Sequence, residues 1–485
     1  MNPSVPIPSL GPELTAEIEA ELTRANAAHS RLFPGDSTVR QPVHTVYGGA
    51  QLWRSDSVVK MAERARAAMR EYAPNAVVFA KAIDLPGADS LPDDLASAAA
   101  LEAAVAANPN AARQTHRAAW LAWTIYRRVW EKLEREAVED FRIDFEDGYG
   151  IRPDVEEDLQ AVAAAEETAK GLAANTLPPF LGIRIKPFNA ELQHRSIRTL
   201  DLFLSTLVRT SGGVLPANFV VTLPKVVSVA QVTAFVRVLS ELERALDLAQ
   251  GSLRCELMVE TPQSILGPDG HSPLPAMVRE TAGRCVGAHF GTYDYTAGCN
   301  VTAAEQRMDH PVCDFARHVM QVTLAGTGVN LSDGATNVMP VAPHRGDSLS
   351  LEQLAENRST VHRAWRLHVS HVRHSLAHAY YQGWDLHPAQ LPTRYAAVYA
   401  FFLEGLEAAS VRLKNFIEKA AQATLVGDVF DDAATGQGLL NFFLRGINCG
   451  AIEEGEALQT GLTLEELRGR SFVKILDNRR AHPSG

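Results

Sequence analysis

Cysteine is scarce in this chain of 485 residues. There are five (Cys255, Cys285, Cys299, Cys313 and Cys449), an odd number, and no two form a CxxC pair. A disulfide framework and a cysteine-rich zinc site are therefore not expected, and a reducing, cytoplasmic setting follows. Long apolar runs are missing too. Nowhere do eighteen uncharged apolar residues follow one another, so no membrane-spanning helix is expected. The first 26 residues hold neither a basic patch nor an apolar segment of the signal-peptide kind. Basic residues are outnumbered: the net charge is −11 and no long Lys/Arg run occurs, which argues against nucleic acid as the main partner. No GxGxxG follows the first strand-like run, so a dinucleotide-binding doubly wound sheet is disfavoured. No internal repeat is evident.

What remains is ordinary globular material, 46 % hydrophobic and 21 % charged. A chain of this length can bury a full core without staples. Pro12 and Glu13 suit a helical first turn, and Leu14, Ile18 and Leu22 recur at helical spacing. From about residue 43, short apolar runs alternate with stretches of helical period, the mark of βα units around a parallel sheet. The runs are 44–47 (ending in Gly48-Gly49), 141–145, 180–185, 219–223, 257–259, 286–290, a weaker 329–332 and a short 384–387. Between them lie helix signals. Pro153 precedes Asp154, Glu156 and Glu157; Ser228 with Gln231 suits a capping box; Pro311 opens a helix that Gly326-Thr327-Gly328 closes. The alanine-rich stretches 95–107 and 161–174 are helix formers.

Eight strand candidates with intervening helices predict an α/β fold, a (β/α)8 TIM barrel with N-terminal and C-terminal helical extensions. The expected division is 1–42 for the N-terminal extension, 43–395 for the barrel with a helical insertion before the second strand, and 396–485 for a C-terminal region of helices only. In such a barrel, chemistry sits at the C-terminal strand ends, and here nearly every strand ends in charge. The second run leads into Asp144-Phe145-Glu146-Asp147, the third carries Arg184 and Lys186, and the fourth ends in Lys225. The fifth ends in Glu260, the sixth leads to Asp294, the seventh to Asp333 and the eighth to His387.

Glu260 and Asp294, from neighbouring strands, suit one hard divalent cation, Mg²⁺ with Mn²⁺ also fitting. Arg184 offers a planar fork to a carboxylate or a developing enolate oxygen. The Gly291-Thr292 backbone allows close approach and N–H donors. Together these parts describe a site that chelates a 2-oxo acid and stabilises its enolate.

Six segments carry a resemblance: Ile143–Asp147, Ile183–Pro187, Leu223–Val226, Val259–Pro262, Gly291–Tyr295 and Leu386–Gln390. In this order they resemble the citrate lyase β-subunit family, within the HpcH/HpaI aldolase and pyruvate/phosphoenolpyruvate-type barrels. The resemblance implies Mg²⁺ on Glu260 and Asp294, and Arg184 on the oxo or enolate oxygen. It implies catalytic neighbours Glu146 and Asp147 beside the metal, and Lys225 at the mouth, where it joins Gly291 and Thr292 in binding substrate. The activity implied is Mg²⁺-dependent carbon–carbon lyase or aldolase chemistry on a 2-oxo acid or CoA thioester, in a cytoplasmic homo-oligomer. Two alternatives stand beside it: a malate synthase-like condensation of acetyl-CoA with glyoxylate, and a non-catalytic barrel that binds a metabolite. The chain departs from the family pattern in its length, its inserted helices and its C-terminal region.

Other signals have plainer readings. His368, His371, His374 and His378 share one helix face. Arginines surround them and no acid stands on that face, so packing or subunit contact is expected rather than metal. Cys299 is expected to be a small buried residue and His289 a satisfied core histidine. Asp333 is a mouth carboxylate without an assigned role, and His387 has a structural role open to it.

Overall fold

The computed structural model describes residues 9–35, 39–418, 424–426, 429–431, 433–469 and 475. The outer ends of both extensions, 1–8 and 476–485, lie outside the described residues.

Eight parallel strands close into a barrel in strict sequence order. They are β1 (His44–Gly49), β2 (Asp140–Asp144), β3 (Phe180–Arg184), β4 (Phe219–Leu223), β5 (Arg254–Val259), β6 (Cys285–Phe290), β7 (Asn330–Ala335) and β8 (Gln382–Asp385), with β8 pairing back onto β1. The expected TIM barrel is therefore what the chain forms. α1 (Pro12–Leu32) precedes β1. Its Leu14, Ile18 and Leu22 are exposed and none of its residues is buried.

The β1–β2 connection carries α2 (Ser57–Tyr72), α3 (Ala76–Ala82), α4 (Leu95–Ala107), α5 (Pro109–Thr115) and α6 (Arg117–Arg135). α6 has a strongly amphipathic sequence, and it packs against the other four and against the later helix Leu391–Glu418. The insertion is thus sewn to the barrel's flank. The Phe79 and Trp365 rings meet edge to face at 5.8 Å across it.

Next come α7 (Asp154–Ala174), α8 (Gln193–Thr210), α9 (Val229–Ala245), α10 (Pro262–Ile265), α11 (Leu274–Glu280), α12 (Thr292–Gly298), α13 (Pro311–Leu324) and α14 (Leu351–Ala377). α7 starts at the acids after Pro153, where negative charge meets the unpaired N–H groups of the first turn. Ser228 caps α9 as expected, but the Gln231 side chain accepts from Val227 N rather than closing a reciprocal box.

α15 (Leu391–Glu418) runs unbroken across position 396 and packs on α6, α14 and α16 (Ala433–Asn448), so its first turns are buried all round. α17 (Glu454–Ala457) and α18 (Leu464–Arg468) follow. One expectation fails here: the region is not purely helical. β9 (Thr424–Val426) and β10 (Val429–Asp431) pair antiparallel, a hairpin too short to show a two-residue period in sequence.

Inside the barrel, the even-numbered residues of β2 point inward, so Asp140, Arg142 and Asp144 sit where branched aliphatics usually do. Arg142 Nη2 meets Glu256 Oε1 at 2.6 Å, its Nε donates to Glu256 Oε2 at 3.0 Å, and it also pairs with Asp140. All three are buried. Such a network holds charge in the interior only because each group is paired.

The candidate active site at the barrel mouth

β3 delivers Arg184 to the C-terminal end of the barrel, 4 % exposed. Asp144, at the end of β2, grips it with both oxygens: Arg184 Nε to Oδ1 at 2.7 Å and Nη2 to Oδ2 at 2.5 Å. Asp144 is itself fixed by the N–H groups of Glu146 (2.9 Å) and Gly148 (2.7 Å). A Cβ on Gly148 would lie 2.6 Å from Asp144 Oδ2, so only glycine leaves room for this turn. Tyr47 and Trp384 cover the guanidinium, their ring centroids 4.8 and 5.8 Å from Cζ. Nη1 alone turns away from Asp144, toward Met258 Sδ (3.5 Å) and Glu146 Oε2 (3.2 Å).

Lys225 follows β4 with a left-handed backbone, φ 50°. Its N–H donates to Glu260 Oε1 at 2.7 Å. Its ammonium contacts Glu146 and lies 3.2 Å from both Asp147 Oδ2 and Asp294 Oδ2. Despite burial, Glu260 and Glu146 hold the Lys225 amine above its ordinary value.

Glu260 is 1 % exposed, whereas Asp294 is half-buried. Burial pushes the Glu260 carboxyl up to about 8, and the Asp294 charge adds to the rise while Lys225 opposes it. Glu146 is raised by burial as well, and its Oε2 has no hydrogen bond of good geometry. Five carboxylates, Asp144 included, thus share two cations. The donors are hard oxygens with a deficit of positive charge, so the residues fit a divalent cation of the Mg²⁺ type.

Six of the expected residues therefore converge: Glu146, Asp147, Arg184, Lys225, Glu260 and Asp294. Gly291 lies against Glu260, where an added Cβ would come within 2.4 Å of Oε2. Its N–H, expected to serve a ligand, is instead spent on Val259 O at 3.1 Å, because the β5–β6 ladder runs one residue further. Thr292 opens α12 with a buried side chain turned to Met308 Sδ, 3.4 Å away.

Other strand-end charges leave the mouth. Lys186 donates to Phe145 O and Gly150 O and pairs with buried Glu157. Asp333 is not a mouth carboxylate: it is fully buried and paired with Arg317 on α13. His387 accepts from Ala389 N and caps a short turn. His289 is a satisfied core histidine, 3.1 Å from Tyr47 Oη and 3.4 Å from Glu256. Cys299 is half-buried, and all five cysteines are free.

The histidine stripe divides. His368 bonds Thr393 and Asp385, and His371 bonds Thr336, all in the core. His374 and His378 turn to α13, where Asp314 supplies the acid that their own helix face lacks.

Sequence reasoning gave no role to Asp144, Tyr47 or Trp384. For Asp144 the signal was there, a charge at every second position of β2. A cavity of about 290 Å³ opens at the opposite end of the barrel, lined by Arg40, Asn218, Arg254 and Cys285 among others. It lies away from the strand ends where such barrels do chemistry. Among the described residues no helix is long and apolar enough to cross a membrane.

Solved structures resemble this barrel at a distance. A citrate lyase from Burkholderia xenovorans is 19 % identical over 69 % of this chain and 92 % of its own, with a TM-score of 0.49. A malate synthase from Haloferax volcanii is 15 % identical over 57 % of this chain and 74 % of its own, with a TM-score of 0.40. At these values the likeness does not decide the reaction. No curated protein matches the chain. One family model does, across residues 22–475, and the chain belongs to that family, described as a domain of unknown function (DUF6986).

Proposed function

We propose that the barrel mouth houses an Mg²⁺-dependent carbon–carbon lyase or aldolase that works on a 2-oxo acid or acyl-CoA-type substrate through an enolate. The observation that carries this reading is Lys225. Its N–H holds Glu260 and its ammonium reaches Asp294, so one residue contacts both candidate metal ligands. The surplus of carboxylate there calls for a further cation.

Glu260 and Asp294 would hold Mg²⁺, with Glu146 and Asp147 beside it. Bound there, Mg²⁺ would polarise the substrate carbonyl and offset enolate charge. Arg184 acts from the protein side. Asp144 fixes its plane, and Nη1 remains to donate to the oxygen on which charge develops, displacing the 3.2 Å contact with Glu146. Tyr47 and Trp384 shield that guanidinium, which strengthens its field. Lys225 offsets the carboxylates while substrate enters.

The test is turnover by full-length protein. After EDTA treatment, NMR screens with and without Mg²⁺ would use 2-oxo acids, 3-hydroxyacyl-CoA thioesters, and glyoxylate with acetyl-CoA. Cleavage that needs Mg²⁺ or Mn²⁺ supports the proposal. Full activity in metal-stripped protein overturns it, and condensation without cleavage points to the malate synthase-like alternative.

A further inference from the structure

Outside the barrel, α13 and α14 run side by side and bring together two pairs of residues, each pair four positions apart and so on one helix face. These are Asp314 with His318, and His374 with His378. They meet rung by rung. His374 Nε2 is 2.8 Å from Asp314 Oδ1, and the His378 ring lies 4.4 Å from that of His374 and 5.5 Å from that of His318. One ligand atom from each of Asp314, His374 and His378 falls within 4.8 Å of the others. Asp314, His374 and His378 are half-buried, and His318 is exposed.

One further feature favours an ion over mere packing. His378 Nδ1 is 2.8 Å from His374 O. A carbonyl only accepts, so Nδ1 carries the proton and Nε2 carries the lone pair. This is the tautomer lock found behind metal-binding imidazoles. Gln321 donates to His378 O at 3.1 Å and ties the end of α14 to α13.

Arg317 is the feature that argues against a cation, since its Nη2 lies 2.7 Å from Asp314 Oδ1 and 3.4 Å from His374 Nε2. Its charge is already matched. Nη1 meets both oxygens of buried Asp333 at 3.0 and 3.3 Å, and Nη2 also donates to Met308 O. One arginine here faces two aspartates, Asp333 and Asp314, so the three groups together carry one net negative charge. Arg317 and His374 both contact Oδ1, which leaves Oδ2 for a ligand bond.

We infer that Asp314, His374 and His378 form a second metal site, distinct from the mouth, for a borderline transition-metal dication, with water completing the shell. A donor set of imidazoles and one carboxylate selects Zn²⁺ over Mg²⁺, which prefers oxygen alone. The ion would staple α13 to α14. On binding it displaces the proton shared by His374 and Asp314.

The experiment uses the full-length protein, stripped with EDTA and held in excess Mg²⁺ so that the mouth is saturated. Zn²⁺ is titrated by calorimetry, and Co²⁺ by visible absorption. One Zn²⁺ per chain is expected, together with the intense Co²⁺ bands of a low-coordinate site that Zn²⁺ bleaches. H378Q and D314N should each weaken Zn²⁺ by about 10-fold or more, and H374Q/H378Q should abolish binding. E260Q should keep it. Circular dichroism checks each fold; if the double variant does not fold, H378Q and D314N decide. No stoichiometric Zn²⁺ in Mg²⁺ buffer, Zn²⁺ retained by H374Q/H378Q, unchanged affinity in both H378Q and D314N, or Zn²⁺ lost in E260Q would each overturn the inference.

Discussion

Lys225 holds Glu260 from its backbone, N–H to Oε1 at 2.7 Å, while its own side chain turns toward the neighbouring carboxylates. The left-handed φ of 50° makes both contacts available from one residue. For an L-residue that conformation costs about 1–2 kcal/mol, and surrounding contacts must over-determine it. The relationship fixes a buried carboxylate at a defined place, which is what a metal ligand requires.

Glu260→Gln should therefore remove Mg²⁺ binding and turnover together. The amide is nearly isosteric but lacks the anionic oxygen that a hard cation needs. Calorimetric Mg²⁺ titration beside a turnover assay checks this; a variant that still binds Mg²⁺ moves the ligand elsewhere.

Gly291→Ala tests the same point by sterics. Its Cβ would sit 2.4 Å from Glu260 Oε2 and 2.5 Å from Glu260 Cβ, so the glutamate must move. Mg²⁺ affinity should fall by about 10-fold or more, the scale of a disturbed ligand shell, with an unchanged circular dichroism spectrum. Wild-type affinity would mean that Glu260 is not a ligand.

Arg184→Lys keeps the charge but loses the fork that Asp144 grips on one side and that turns Nη1 toward Glu146 on the other. We expect kcat/KM to fall by about 100-fold or more, as for a lost oxyanion donor. A near-wild-type rate would shift the substrate cation to Lys225.

Acid sensitivity has a specific source in His44. Burial holds its imidazole down at about 4, with Nε2 accepting from Glu139 N and Nδ1 3.3 Å from Asp385. The unfolded chain takes up this proton near pH 6.5, so between pH 6.5 and 4 the unfolded state binds more protons and stability falls as pH falls. His44→Gln should lose about 2 kcal/mol less than wild type between pH 7 and pH 5. Urea unfolding at the two pH values measures it, and parallel slopes would exclude His44.

The charged barrel interior predicts a stability defect. Arg142→Met leaves buried Asp140 and Glu256 without their common partner, at a cost of about 3–5 kcal/mol. Chemical denaturation reads the loss. A change below 1 kcal/mol would show that the two acids become protonated at little expense.

By itself, the sequence determined the barrel. The eight runs are rich in apolar or β-branched residues at strand length, with charges interspersed in some, the helices between them carry their own start signals, and parallel strands with crossover helices close in only a few ways. It also placed Glu146, Asp147, Arg184, Lys225, Glu260 and Asp294 at strand ends, because a strand's C-terminal residue is fixed by local chemistry alone. Tertiary structure decided how these charges are divided. Lys186 and Asp333 also stand at strand ends, yet they pair with Glu157 and Arg317 from packed helices and leave the mouth. Nothing in a one-dimensional pattern records which helix lies opposite. The same reason hid the acid beside the histidine stripe: Asp314 stands 60 positions away in the chain, and only the packing of α13 on α14 brings it to 2.8 Å from His374.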